Sequence, residues 1–256
     1  MRTFIFGLCL CLLCLTGCVK QQPSPTLPKD NEATWQKFLA NSTPHNPYRL
    51  QLSLRLGMKG DTRRVTAILW GADTNTIRLD AMAGVGSVIA KIYDDRSTFL
   101  LVAPVDGKAY THQGSNKPML KIGIPLPLTL KNLADLLTGN PAAVFGRTHG
   151  QVTEGSKGYP SYALAERIQG AITLDGQGRV LTWLEKPQGR GWNMQIEYAD
   201  DNLPSRINLE NTRGERAVLL VKEREAVTTI DKSQLNLTIP QGVKVLPLAQ
   251  YTAQTE

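Results

Sequence analysis

The stretch Tyr48-Arg49-Leu50-Gln51-Leu52-Ser53-Leu54-Arg55-Leu56 places leucine at every second position, against Gln51, Ser53 and Arg55. Successive side chains of a strand point to opposite faces, so this segment has one leucine face and one polar face. The same period continues downstream. Residues 65–70 read as the next strand, Ile77, Leu79 and Ala81 alternate with Arg78 and Asp80, and Val88, Ala90 and Ile92 flank Lys91. Further strands are expected over 98–102, 108–111, 162–168, 179–184, 192–198, 205–209 and 217–223. Turn chemistry falls between them, at Asp73-Thr74-Asn75, Asp106-Gly107, Asp175-Gly176-Gln177-Gly178 and Asn211-Thr212-Arg213-Gly214. Many short strands joined by tight turns predict an antiparallel sheet that curls, as a sandwich or a barrel.

Two segments depart from the alternation. Residues 34–39 carry Trp35, Phe38 and Leu39 on one side, the spacing of a short helix packed on a sheet. Pro125-Leu126-Pro127-Leu128 leads into Thr129, an N-cap for a helix over 130–138. Leu130, Leu133, Leu136 and Leu137 line one face of it, and Gly139 with Pro141 closes it. Such a helix either packs on the sheet as any amphipathic helix does or plugs the mouth of an open barrel.

A chain of 256 residues, 41% hydrophobic and 20% charged, holds one large domain or two small ones and is not disordered. No stretch reaches the roughly 18 consecutive apolar residues of a spanning helix. The 29 Lys and Arg against 22 Asp and Glu give +7, but the basic residues occur singly, as on a solvated surface. All four cysteines, Cys9, Cys11, Cys14 and Cys18, lie in the first 18 positions, so nothing later can form a disulfide or supply a thiolate. Met1-Arg2-Thr3 is a short basic start, 4–15 is an apolar run, and Leu15-Thr16-Gly17-Cys18 follows. This is a secretory signal. It resembles the bacterial lipobox, which implies a signal peptide over 1–17 and a lipidated Cys18 as the new N-terminus and membrane anchor. Val19, where the enterobacterial sorting rule reads aspartate as inner-membrane retention, implies the outer membrane with the domain facing the periplasm. Pro23, Pro25 and Pro28 make 18–31 an extended tether, leaving 32–256 as a single domain.

Signals for an enzyme are weak. His45, His112 and His149 are far apart, no metal-ligand spacing occurs, and Asp94-Asp95 and Asp200-Asp201 sit in turn-like contexts. Gly84-Val85-Gly86-Ser87 joins two strands and so lacks the helix N-terminus of a phosphate cradle. A basic cluster with interleaved aromatics, as nucleic-acid binding needs, is missing. A non-enzymatic protein without cofactor, metal or nucleic-acid partner is expected.

Several short motifs resemble the LolB family of outer-membrane lipoprotein receptors. They are Ala83-Gly84-Val85-Gly86-Ser87, Gly123-Ile124-Pro125-Leu126-Pro127-Leu128, Leu203-Pro204-Ser205-Arg206-Ile207-Asn208-Leu209 and Arg216-Ala217-Val218-Leu219-Leu220-Val221. The tail Asp231-Lys232-Ser233-Gln234-Leu235-Asn236-Leu237-Thr238-Ile239-Pro240-Gln241-Gly242-Val243-Lys244-Val245 is similar instead to the C-terminal segment of LolA, the soluble periplasmic carrier. The shared fold implied is an unclosed β-barrel with a helical lid over an apolar cavity. The function implied is acceptance of lipoprotein acyl chains, with delivery into the outer membrane and a periplasmic LolA-type carrier as donor. Inward Leu52, Leu54, Ile77, Leu79 and Ile92, with lid residues Leu130, Leu133, Leu136 and Leu137, are the lining candidates. The resemblance makes Val85, with Met82 beside it, a membrane-insertion loop. The alternatives are a structural or assembly lipoprotein and a carrier of another amphiphile such as a glycolipid. A cavity open at one rim favours a carrier, whereas a filled interior with an apolar patch outside favours a protein partner.

Overall fold

The computed structural model describes residues 31–84, 86–113, 118–166, 168–186 and 189–251. The chain opens with α1 (Asn31–Ala40) and runs through β1 (Tyr48–Met58), β2 (Asp61–Gly71), β3 (Ile77–Ala83), β4 (Ser87–Asp94), β5 (Phe99–Ala103) and β6 (Lys108–His112). A helical segment follows, with α2 (Pro118–Lys121), α3 (Leu130–Leu137) and α4 (Ala142–Phe145). The second run of strands is β7 (Val152–Glu154), β8 (Pro160–Leu164), β9 (Gly170–Leu174), β10 (Val180–Glu185), β11 (Asn193–Tyr198), β12 (Pro204–Glu210) and β13 (Glu215–Glu225). Then come α5 (Lys232–Leu235) and β14 (Lys244–Pro247).

All the strands join one sheet in the order β14-β6-β5-β4-β3-β2-β1-β13-β12-β11-β10-β9-β8-β7. Neighbours are antiparallel except β14, which lies parallel to β6. The two edge strands, β14 and β7, do not pair with each other, so the sheet curls without closing. In β1 the leucine alternation becomes an inside and an outside: Leu50, Leu52 and Leu54 are buried, while Gln51 and Arg55 are exposed. β1 pairs along its whole length with β2 on one side and with β13 on the other, Leu54 meeting Val65 and Leu219.

The turns are set by short polar side chains that satisfy the backbone. Asp73 Oδ1 accepts from the Asn75 and Thr76 amides at 2.7 and 3.1 Å, and Asp175 Oδ1 from the Gln177 and Arg179 amides at 2.9 Å each. Asn211 Oδ1 accepts from the Arg213 and Glu215 amides at 3.0 Å each. Three strands escape the sequence reading: β7 has three residues, β9 begins on a glycine, and β14 is a four-residue edge with Lys244 and Val245 exposed. The strand expected over 162–168 ends at Leu164.

These hairpins sort the turns to two ends. One end, the rim, carries the turns after β1, β3, β5, β10 and β12. The opposite end carries those after β2, β4, β9 and β11. The helices crowd that opposite end. α1 buries Trp35 and Phe38, and Lys37 Nζ and Asn41 Nδ2 donate to the carbonyls of Gly176 and Gln177, both at 2.9 Å. Gly178 makes this approach possible: its φ is +79°, and a Cβ there would lie 2.5 Å from the Phe38 backbone nitrogen. Gly178→Ala should therefore destabilise the fold by about 2–4 kcal/mol through clash and backbone strain combined. A denaturant melt checks this, and an unchanged midpoint would show that α1 does not dock on this turn.

Candidate functional site

Between the inner faces of β1 to β5 and the segment 118–126 lies a cavity of about 410 Å³. The sheet supplies Leu54, Leu56, Val65, Leu79, Ala81, Ile89, Ala90, Ile92, Leu101 and Ala103. Met119, Ile122, Ile124 and Leu126 form the facing wall, and Leu133 of α3 the deep end. Arg63, Val105, Asp106 and Tyr251 complete the lining, and Arg63, Val105 and Asp106 sit at the rim, where the cavity opens. Burial, followed by the nearby Asp106 and Tyr110, raises the pKa of the Tyr251 hydroxyl, so it stays a neutral donor. The chemistry is therefore an apolar slot under a polar collar, the form of a site for a chain with one polar end.

The other half of the barrel is solid. Trp35, Phe38, Phe145, Tyr162, Trp183 and Trp192 fill the space beneath β8 to β12, all essentially inaccessible. Trp35 lies 4.7 Å from Phe38 and 5.1 Å from Tyr162, centroid to centroid, in tilted aromatic contacts.

The helix α3 lies across the end opposite the rim as a lid. Thr129 caps it, its Oγ1 accepting from the Asn132 amide at 3.1 Å. Lys131 Nζ reaches the buried Asp135 at 2.6 Å and Thr74 Oγ1 at 3.2 Å, tying the lid to the turn after β2. At the far end Arg224 of β13 donates to the Leu137 carbonyl at 2.8 Å and to the Pro204 carbonyl at 2.6 Å. A cation there complements the helix C-terminus. Burial lowers the Arg224 pKa, and Asp201, 3.7 Å away, acts in the opposite direction.

Of the lining residues expected from sequence, Leu54, Leu79, Ile92 and Leu133 face the cavity. Leu52, Ile77, Leu130, Leu136 and Leu137 are buried in the packed core and do not line it. Met82 is half-buried beside the turn after β3, opposite Val88, and is not in the lining either. Val85 and Cys18 lie outside the described residues. The wall of Met119, Ile122, Ile124 and Leu126 escaped the sequence reading. Its signal was the spacing of Ile122, Ile124 and Leu126 around Gly123 and Pro125. Histidines serve other ends: His45 Nδ1 lies 2.9 Å from the Thr138 carbonyl, and His149 packs edge-on against Trp35. Among the described residues no three His, Cys, Asp or Glu side chains converge as metal ligands.

No family model matches the chain, and no curated protein matches it in sequence. Solved structures do. A LolA superfamily protein from Nitrosomonas europaea superposes with a TM-score of 0.52 at 12% identity, over 78% of this chain and 94% of that one. A domain from Vibrio parahaemolyticus named as an outer membrane lipoprotein-sorting protein gives 0.53 at 9%, covering 80% and 95%. A DUF1329 family protein from Desulfovibrio piger gives 0.54 at 9%, covering 80% and 96%. Sheet, lid and cavity together are those of an open barrel built around an apolar slot. The chain has the LolA-like fold.

Ala90 offers a direct test of the slot. Ala90→Trp places an indole in open space, so the melting temperature should stay within a few degrees while binding of a fluorescent fatty-acyl probe falls at least tenfold. Unchanged probe binding by the folded variant would place acyl binding elsewhere.

Proposed function

We propose that the protein accepts an acyl chain of a lipoprotein in this cavity and, anchored through lipidated Cys18, passes the cargo to the outer membrane. The observation that carries the reading is the slot itself: open at one rim, walled by Leu, Ile, Val, Ala and Met, and collared by Arg63 and Asp106. The fold shared with a lipoprotein-sorting domain and a LolA superfamily protein supports it.

The volume sets the capacity. At the ~30 Å³ share of a liquid water per methylene, the cavity of about 410 Å³ has room for at least a dozen methylenes, the length of an acyl chain. At about 0.8 kcal/mol per buried methylene the gross gain is on the order of 10 kcal/mol. Association costs of about 4 kcal/mol or more reduce it to reversible binding, as a carrier requires. No covalent step is needed, and the protein acts as a binding protein rather than an enzyme.

Saturable uptake of one acylated peptide per protein is the expected result, followed by its release into liposomes. Failure to bind any acylated molecule would remove the carrier reading. Cys18→Ala should move the protein out of the membrane fraction and block the mass increase of lipidation; retention at unchanged mass would refute the anchor. Val85, between Gly84 and Gly86, is assigned the delivery role. Val85→Glu should leave folding and acyl uptake intact and abolish transfer into liposomes, since a carboxylate in lipid is costly. Normal transfer by that variant would free Val85 of the role.

A further inference from the structure

Met58, Val105, Leu184 and Val245 are the large hydrophobic side chains that stand exposed among the described residues, between 47% and 75% accessible. They are far apart in sequence, yet all four come to the rim. Met58 ends β1 and Val105 lies in the turn after β5. Leu184 is the penultimate residue of β10, and Val245 pairs with Ala109 just beyond the β5 turn. The opposite end carries none of them. Spread around the rim on β14, after β5, on β1 and on β10, they give this end of the sheet, and not the other, its apolar tips.

A second, independent feature adjoins it. On the outer face of the sheet, just behind the rim, a groove of about 470 Å³ is lined by Arg55, Arg64, Arg206, Arg216 and Lys222 over an apolar floor of Val218 and Leu220. Their charges are poorly compensated. Arg206 has Glu197 at 3.8 Å, and Arg216 shares Glu210 with Lys59, at 3.8 and 3.9 Å. Arg64 Nε donates to Ser53 Oγ at 3.2 Å, and among the described residues no carboxylate pairs with Arg55, Arg64 or Lys222. Registered pairing sets Arg55 beside Arg64, with Gly57 beside Arg216 one step nearer the rim.

We infer that the rim is a docking surface for an anionic lipid bilayer, its apolar tips entering the interface while Arg55, Arg64 and Arg216 meet lipid phosphates. Spacing supports this occupant over an acidic protein. Arg55 precedes Met58 by three positions, about 10 Å at ~3.3 Å per residue. Interfacial apolar groups sink about 5–10 Å below the headgroups. With Met58 immersed to that depth, Arg55 and Arg64 stand at headgroup level, and Arg216, opposite Gly57 and nearer the rim, reaches that level along its long side chain. The surface then places the cavity opening against the membrane. Docking stands on the rim's charge and apolarity, whatever the cavity carries.

Amide hydrogen exchange on the full chain tests the docking, with phosphatidylcholine vesicles that either contain or lack 30% phosphatidylglycerol. Whatever holds the N-terminus to vesicles acts in both, so the readouts are where protection falls and how it changes with lipid charge. Anionic vesicles should slow exchange at the turns 57–62, 103–107 and 211–215 several-fold more than neutral ones, and added salt should reduce the difference. Arg55→Glu with Arg64→Glu should remove the dependence on lipid charge. Should that pair fail to fold, Lys59→Glu with Arg213→Glu, both on exposed turns, should weaken it instead. Met58→Asp with Val245→Asp, neither of which lines the cavity, should lower protection in both lipids. Equal protection with the two vesicle types, or protection at the turns 72–76 and 95–98, would overturn the inference. Protection by poly-glutamate but not by vesicles would assign the groove to an acidic protein and overturn it as well. Acyl-probe binding on the same samples keeps a failure of docking distinct from a failure of the carrier reading.

Discussion

The antiparallel contact between β1 and β13 holds the molecule together, because it joins two half-sheets that have no other common ladder. On one side, β2 to β6 with β14 form a fan around the cavity. On the other, β12 back to β7 wrap the aromatic core. Break that pairing and the inner leucines of β1, the cavity wall and the binding point of the lid through Arg224 all lose their frame. Both strands are eleven residues long, as is β2, and their inward Leu52, Leu54, Leu219 and Ala217 are buried. A sheet left open at its edges depends on such a central seam, since it lacks the closure that removes edges in a full barrel.

The alternation that begins at Tyr48 was enough to read most of the sheet, because half-buried strands write their two faces directly into the sequence. The helix at 130–137 was equally legible from its cap and leucine spacing. What stayed hidden has physical reasons. β7 and β14 are short edge strands with little to bury, so they leave no alternation to find. The choice among inward leucines was hidden too. Leu52 and Leu54 look alike in sequence, yet one packs solidly and the other faces open space. The deciding factor is what lies across the barrel, a long-range arrangement that no local pattern encodes. The wall at 119–126 belongs to the same class: Ile122, Ile124 and Leu126 alternate, but so short a run outside any strand does not say that it faces the sheet across a cavity.

Two halves with unlike interiors divide the labour of stability. An apolar void forgoes about 24 cal/mol for each Å³ that packing would have filled. Leaving 410 Å³ open under β1 to β5 is a substantial sacrifice. The tryptophans, phenylalanines and tyrosine under β8 to β12 offset it, since aromatic side chains bury the most area per residue. The hydrogen-bonded lid then spans both halves, with Lys131 near the open half and Arg224 at the seam. The open space is thereby confined to one side of a frame whose other side is solidly packed.

The seam has a consequence for the order of events as the chain is made. Gln51 and Glu225, 174 positions apart, come together across it. A ribosome must therefore release most of the polypeptide before β1 can find its second neighbour, and contacts of such separation form slowly. Until then β1 is an unpaired edge with a leucine face. The hairpins from β1 to β6 are local and can form as the chain emerges, but the sheet is complete only once β13 has been made and has found β1.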